Sequence, residues 1–426
     1  MPTAPRNTPG TARRGPGRDR RAVPEEPTAA FDALTEDALR ASGSLKWTRY
    51  GDAIGAFVAE MDFGTAPAVT RALHEAVDRA AFGYLTPEVA AGMARACAGW
   101  YAAHHGWAVP PEWVFPLADV LAGLQAAIEH FTPPGSPVVL PTPAYMPFLT
   151  VPALLGRELV QVPMVQRDGR ASYDLEGIAR ALDGGGLLVH CNPHNPLGRV
   201  FDAEEQLALA EVVERTGARV FADEIHAPLV HPGAVHRPYA ALSPATARHT
   251  VTATAASKAW NLPGLKAAQL ILSDEADAEH WARVGLLYGH GASTPGVLAT
   301  TAAYREGGPW LAGVLAYLDG NRRRLGELLA EHLPAVRWTP PEGTYLAWLD
   351  CRALDLPTSP GAYFLEHAGV ALVDGPECGA PGAGHVRLNL ATPRPVLDTI
   401  VARMATAVAG RTGGAHEDGG AGGTRG

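Results

Sequence analysis

Three stretches decide the reading of this chain: residues 187–199, LLVHCNPHNPLGR; residues 219–226, RVFADEIH; and residues 250–266, TVTATAASKAWNLPGLK. Each opens with a short, continuous apolar run and ends in polar residues. Leu187–His190, Arg219–Ala222 and Thr250–Thr254 have the composition of strands covered on both faces. Further out, Pro137–Leu140, Leu159–Val162 and Gln269–Leu272 have the same character. A helix separates the first two stretches: Asp202 caps it, Glu205 stands three residues on, and Gly217 ends it after Leu207, Leu209, Ala210 and Val213. Another helix is expected near Thr65, with Pro67 in its first turn and a buried stripe of Val69, Leu73, Ala76, Val77 and Ala80. Such alternation, kept up over roughly 200 residues, predicts an α/β fold with a mainly parallel sheet and helices on both faces.

After Pro309 the pattern changes to a long helix carrying Asn321–Arg324, then short strands around Val336–Trp338 and Thr344–Leu349. These predict a smaller α+β C-terminal domain. The expected organisation is a disordered Arg/Pro/Gly-rich arm over 1–28, a segment 29–60 packing on the small domain, a large domain over 61–308, the small domain over 309–410 and a disordered Gly-rich tail over 411–426.

The chain has 426 residues, 47% of them hydrophobic, enough for a large core and about two domains. A net charge of −9 argues against a dedicated nucleic-acid binder. The six arginines of the arm stand with Asp19, Glu25 and Glu26 and read as a solvated tail. Cys97, Cys191, Cys351 and Cys378 lie far apart, with no Cys-x-x-Cys pair, which fits a reducing compartment. The least charged stretch, Val138 to Gly156, is broken by Pro141, Pro143, Pro147 and Pro152, so no membrane span is expected. A cytoplasmic enzyme is the expectation.

Of 35 basic residues only Lys46, Lys258 and Lys266 are lysines. An amine can lose its proton and attack a carbonyl, whereas guanidinium cannot, so the lysines carry a chemical question. In parallel sheets ligands sit at the carboxyl ends of the strands. Asn195, Asp223 and Lys258 follow three such ends, 28 and 35 residues apart, about one strand–helix unit each. An amide, a carboxylate and an amine thus converge on one crevice. An aldehyde cofactor with a pyridine ring uses that combination: the amine forms a Schiff base, the carboxylate keeps the ring nitrogen protonated, and the amide binds the ring oxygen. Ser257 and Lys266 could hold a phosphate. A metal site on Glu224, His226, His231 and His236 competes, but the five-residue His spacings match neither a helical pair nor a zinc finger; no metal is expected.

In this order and spacing the motifs SGSLKW (42–47), VAEMDF (58–63), FGY (82–84), PTPAYMPF (141–148), NPHNPLGRVF (192–201), DEIHAPLV (223–230), SKAWNLPGLK (257–266), PEGTYLAWLD (341–350) and HVRLNLATPR (385–394) resemble the fold-type I pyridoxal-phosphate enzymes. Within these the chain resembles the cystathionine β-lyase-like carbon–sulfur lyases of the class I/II aminotransferase superfamily, from about Ser44 to Met404. The resemblance implies that Lys258 carries the cofactor and moves the substrate's Cα proton. It implies Asp223 at the ring nitrogen, Asn195 at the ring oxygen with His226 nearby, and Tyr145 stacked on the ring. Ser257, Lys266 and backbone amides near Asp119 and Val120 would hold the phosphate. Tyr84 would reach the phosphate of a neighbouring subunit, implying a homodimer with shared sites, and Arg387 would bind the substrate carboxylate.

The chain departs from the family where Phe57 replaces a Trp, Glu60 an Asp, Asp119 a Gly, and Cys378-Gly379 a Phe-Gly pair. A carboxylate at Asp119 would repel a phosphate unless it caps the helix and points away. The reaction implied is cleavage of cystathionine or another S-substituted L-cysteine to a thiol, pyruvate and ammonia. An aminotransferase shares everything up to the carbanion and stays open at this stage, as does a non-catalytic binding protein on the same fold.

Overall fold

The computed structural model describes residues 27–167 and 169–414. Seven strands form its main sheet: β1 (Val114–Leu117), β2 (Val138–Thr142), β3 (Leu159–Pro163), β4 (Leu187–Cys191), β5 (Arg219–Asp223), β6 (Thr250–Thr254) and β7 (Ala268–Leu272). Their order is β1-β7-β6-β5-β4-β2-β3. From β6 to β3 all neighbours are parallel, while β7 runs antiparallel to β6 and β1. Every residue of β2, β4, β6 and β7 is buried, as expected of strands sandwiched between helices. The strand the sequence reading passed over is β1, which contains Pro116. Proline lacks the N–H a central strand needs, and β1 sits at the sheet edge where that lack is tolerated.

The register sets the site. Cys191 lies opposite Asp223, and Asp223 opposite Ala253. The carboxyl ends of β4, β5 and β6 are therefore level, and the polar residues after them open onto one edge.

The helix Ala203–Thr216 has the expected capping box at Asp202 and Glu205 and ends at Gly217 in the left-handed region. The helix Pro67–Asp78 packs on the helix Thr294–Glu306 with a narrower stripe than expected. Val69 and Ala76 are buried and Leu73 is half-buried, but Val77 is 60% exposed and Ala80 lies past the helix end at φ 51°.

The helix Gly308–His332 leads into a second, antiparallel sheet of β8 (Arg337–Trp338), β9 (Leu346–Asp350), β10 (Val373–Asp374) and β11 (His385–Asn389), in the order β8-β9-β11-β10. Ile54–Gly55 pairs in parallel with Val370–Ala371, so the segment before residue 60 is stitched to this part of the chain. The final helix runs Arg394–Gly414, past the expected start of a tail at 411, and a helix already begins at Pro27 within the expected arm. The rest of both expected segments lies outside the described residues. Among the described residues no helix is long and apolar enough to cross a membrane.

Lys46 now has its partner. Its Nζ donates to Asp62 Oδ2 at 2.8 Å and to the Ala391 carbonyl at 3.1 Å, while Trp47 Nε1 donates to Asp62 Oδ1 at 2.8 Å. All three side chains are buried. The cluster clamps the N-terminal segment to the chain just after β11. Removing one partner of a buried pair strands the other charge, typically at about 3–5 kcal/mol. Lys46→Met should lower stability to urea by that order, and Lys46→Met/Asp62→Asn should recover part of the loss because the stranded charge is gone. Equal stability of the two variants would show that the pair's charge is not what holds the segment.

Candidate active site

A cavity of about 440 Å³ opens where β4, β5 and β6 end. Of the residues singled out from the sequence, Asp119, Val120, Tyr145, Asn195, Asp223, His226, Ser257, Lys258, Lys266 and Arg387 all line it. Tyr84 does not. It is 92% exposed and borders a separate surface groove with Phe82 and Leu286.

Asp223 closes β5 and is 4% exposed. Its donors are the backbone N–H of Ile225 at 3.1 Å and the weak Cys191 thiol at 3.5 Å. No cation forms a salt bridge with it among the described residues. Burial outweighs these donors and pushes the carboxyl up to about 6. A charged partner at this point would release that penalty, which is the property a protonated ring nitrogen requires.

Lys258 follows β6 through Ser257, and its Nζ donates to the Ala59 carbonyl at 2.9 Å. Burial, helped by the charge of Arg387 and opposed by Glu60 and Asp223, pulls the amine down to about 8. A sizeable fraction is therefore neutral near pH 7 to 8, the form that attacks a carbonyl.

Arg387 lies on β11 and is 2% exposed. One Nη donates to Asn195 Oδ1 at 2.8 Å and the other to the Phe57 carbonyl at 2.6 Å; Nε has no partner. Burial lowers its pKa from the ordinary value, and it has no carboxylate ligand among the described residues. A guanidinium held in a fork without an anion is a ready receptor for one. His226 is also buried, with Nδ1 unpartnered, and is kept neutral by burial and by the charges of Lys258 and Arg387. Tyr145 packs edge-on against Phe148 at 5.3 Å, and its hydroxyl is pushed up by burial.

At the other end, Asp119 is the N-cap of the helix Val120–His130: Oδ1 accepts from the Ala122 N–H at 3.0 Å, and Oδ2 lies 3.0 Å from Lys266 Nζ. Both oxygens of this carboxylate are thus engaged by donors. Lys266 takes a left-handed backbone conformation, φ 49°, which turns it toward that helix start. Gly198, at φ 67°, lets the Asn195 loop turn against Pro341; a Cβ there would fall 2.4 Å from Pro341 Cβ.

The competing metal set is dispersed. His236 pairs with Glu224 at 3.3 Å, His231 bonds the Thr344 carbonyl, and only His226 faces the cavity. Sequence reasoning missed several groups at the site. The Ala59 carbonyl accepts from both Lys258 and Tyr345, and Arg49, Tyr50, Met146 and Glu377 also line the cavity. Tyr345 stood inside a quoted motif, PEGTY, but backbone carbonyls and an exposed arginine leave no periodic signal.

The model of the family described as "Aminotransferase class I and II" matches residues 55–404. A Corynebacterium glutamicum protein named cystathionine beta-lyase is 39% identical over 88% of this chain and 99% of its own. The Bacillus subtilis cystathionine beta-lyase PatB is 36% identical over 81% of this chain and 92% of its own. The solved structure of cystalysin from Treponema denticola, which contains a pyridoxal 5'-phosphate cofactor, superposes with a TM-score of 0.84 at 27% identity, covering 89% of this chain and 99% of that one. The chain belongs to the aminotransferase class I and II family.

Proposed function

We propose that this chain is a pyridoxal-phosphate-dependent carbon–sulfur β-lyase. It would cleave cystathionine or another S-substituted L-cysteine, with water, to a thiol, pyruvate and ammonia. The observation that carries the reading is the juxtaposition of a depressed amine, Lys258, with a buried, anion-free guanidinium, Arg387. The named activity of the relatives supports elimination over transfer.

The residues fit the cofactor. Lys258 would carry it, Asp223 would meet the ring nitrogen, Asn195 and His226 would lie by the ring oxygen, and Tyr145 would cover a face. Ser257, Lys266 and the amides opening the helix at Val120 would hold the phosphate. When bound, the cofactor supplies a carbonyl for the substrate amine and an electron sink for the pair left at Cα. Arg387 holds the α-carboxylate and so orients the Cα–H bond. Lys258 takes the Cα proton and can hand it to the departing sulfur, and Asp223 keeps the sink electron-poor.

A second copy would complete the site. Phe82, Tyr84 and Leu286 are exposed and line one surface groove, and Tyr84 would reach from it to the partner's phosphate. The four cysteines are free and buried, in keeping with a cytoplasmic setting.

The loaded protein, given L-cystathionine without a keto acid, should release pyruvate and thiol in equal amounts over many turnovers. Lys258→Ala should abolish both this and the visible absorbance of the lysine-linked cofactor. A coloured, active variant would sink the assignment.

Asp223 generates a pH test on the cofactor-free protein. Its folded pKa of about 6 lies above the ordinary 3.8, so the stabilisation from its proton is complete below about pH 4 and is lost as the pH rises through 6. Asp223→Asn should therefore be more stable than the parent at pH 7, by up to about 3 kcal/mol, and no different at pH 4. Parallel curves would remove the buried charge from the account.

Tyr84→Ala should lower activity by itself. Mixed with Lys258→Ala under conditions that exchange subunits, it should regain part of it, because one site per heterodimer is whole. No recovery in proven heterodimers would place Tyr84 outside the site.

A further inference from the structure

Beyond Arg387 the cavity continues to its mouth, and the groups there have no part in the chemistry described above. Arg49 sits directly after the short helix Leu45–Thr48. Its guanidinium carbon is 5.5 Å from the ring centroid of Tyr50 and 6.0 Å from that of Phe57, and those rings meet edge-on at 5.0 Å. No carboxylate lies within ion-pair distance of Arg49 among the described residues. Phe57 therefore touches both arginines, with its carbonyl on Arg387 and its ring beside Arg49. Glu377 lines the same cavity, also without an ion pair among the described residues. Its Oε1 accepts from the Asp374 N–H at 3.0 Å, which fixes the carboxylate while leaving Oε2 free. Between the charged groups the lining includes Met146, whose sulfur is 3.9 Å from an Arg387 Nη, and Leu372.

We infer that Arg49 and Glu377 form a distal subsite that grips the second amino-acid head of a thioether carrying two such heads, Arg49 taking its carboxylate and Glu377 its ammonium. The inference rests on the lyase reading for its substrate class. A substrate whose near carboxylate is on Arg387 must lead its sulfur chain past Met146 and Leu372 to the mouth. There a zwitterionic head meets one fixed charge of each sign. An S-alkyl cysteine presents only hydrocarbon at that point and leaves both charges to water. The two pairs are exposed, so each contributes modestly; together they discriminate by about tenfold. The Tyr50 and Phe57 rings lie within cation–π reach of the Arg49 guanidinium, whose planar fork lysine cannot copy.

The test uses the full chain loaded with cofactor. Calorimetry compares L,L-2,7-diaminosuberate, in which a methylene replaces the sulfur of cystathionine, with L-2-aminooctanoate, which has the same length and no second head. The parent should prefer the former about tenfold. Arg49→Ala and Glu377→Gln should each cut that preference, and Arg49→Lys should restore little of it. In turnover, Arg49→Ala should raise KM for L-cystathionine far more than for S-propyl-L-cysteine, with kcat held. No preference in the parent, or the same preference in both variants, overturns the subsite. Pyruvate release by the parent is read separately. Release without the preference overturns the subsite and leaves the lyase standing, whereas the preference without release supports the subsite and removes the lyase.

Discussion

Arg387 is buried on β11, yet its Nη atoms meet no carboxylate among the described residues: they donate to the Asn195 amide oxygen and the Phe57 carbonyl, with the Met146 sulfur at 3.9 Å. A guanidinium cannot escape desolvation by shedding its proton, so the surroundings must accommodate the charge. They do so by adjusting every neighbour. Lys258 is pulled down by burial first and by this cation second, and His226 is kept uncharged by burial, then by Lys258, then by this cation. The same two hydrogen bonds tie together three distant parts of the chain: the loop after β4, the N-terminal segment and the small sheet. A change at any of the three would disturb the field at the amine.

The N-terminal segment is therefore more than a wrapping. Its carbonyls at Phe57 and Ala59 accept from Arg387, Lys258 and Tyr345, and those at Val58 and Glu60 accept from Asn389. Backbone acceptors give direction without adding a negative charge that would neutralise the amine's environment. Such carbonyls must be held rigidly, and the Lys46–Asp62–Trp47 cluster lies where it can do that, with Asp62 just after them and Lys46 and Trp47 before them in the chain. Two of the three lysines of the chain thus bear on this one segment: Lys258 donates to it at Ala59, and Lys46 anchors it through Asp62.

How much of this was legible beforehand follows the physics of each feature. Continuous apolar runs, a capping box and a terminal glycine are local signals, and β2 to β7 and the helix Ala203–Thr216 emerged within two residues at each end. The convergence of Asn195, Asp223 and Lys258 was legible because parallel strands bring their ends level. Val77 was misjudged because helical spacing says which residues share a face, not how wide a neighbour covers it. Strand β1 was missed because Pro116 disguises it, and the two-residue strands Ile54–Gly55 and Val373–Asp374 are too short for any period. The partner of Lys46 was invisible because it depends on a tertiary approach, as did the position of Tyr84 outside the cavity of its own chain.

Asp119 shows how a residue that looks wrong in sequence becomes consistent in three dimensions. A carboxylate at the start of a helix whose amides are to receive a phosphate would ordinarily repel it. Here Oδ1 caps the first turn and Oδ2 holds Lys266. Capping consumes one orphan N–H and leaves the others of that first turn for a ligand. The ion pair keeps Lys266 close to those amides, and the pair is largely exposed, so water screens the repulsion that the carboxylate exerts. The arriving dianion would then meet an ammonium already turned toward it by the left-handed backbone at Lys266, and the helix start would supply directed donors in place of net charge. The two ends of the cavity so follow opposite rules: at Asp119 and Lys266 exposed charges are paired and screened, while at Arg387 a buried charge is left without a carboxylate among the described residues, and it is there that an arriving anion would change the electrostatics most.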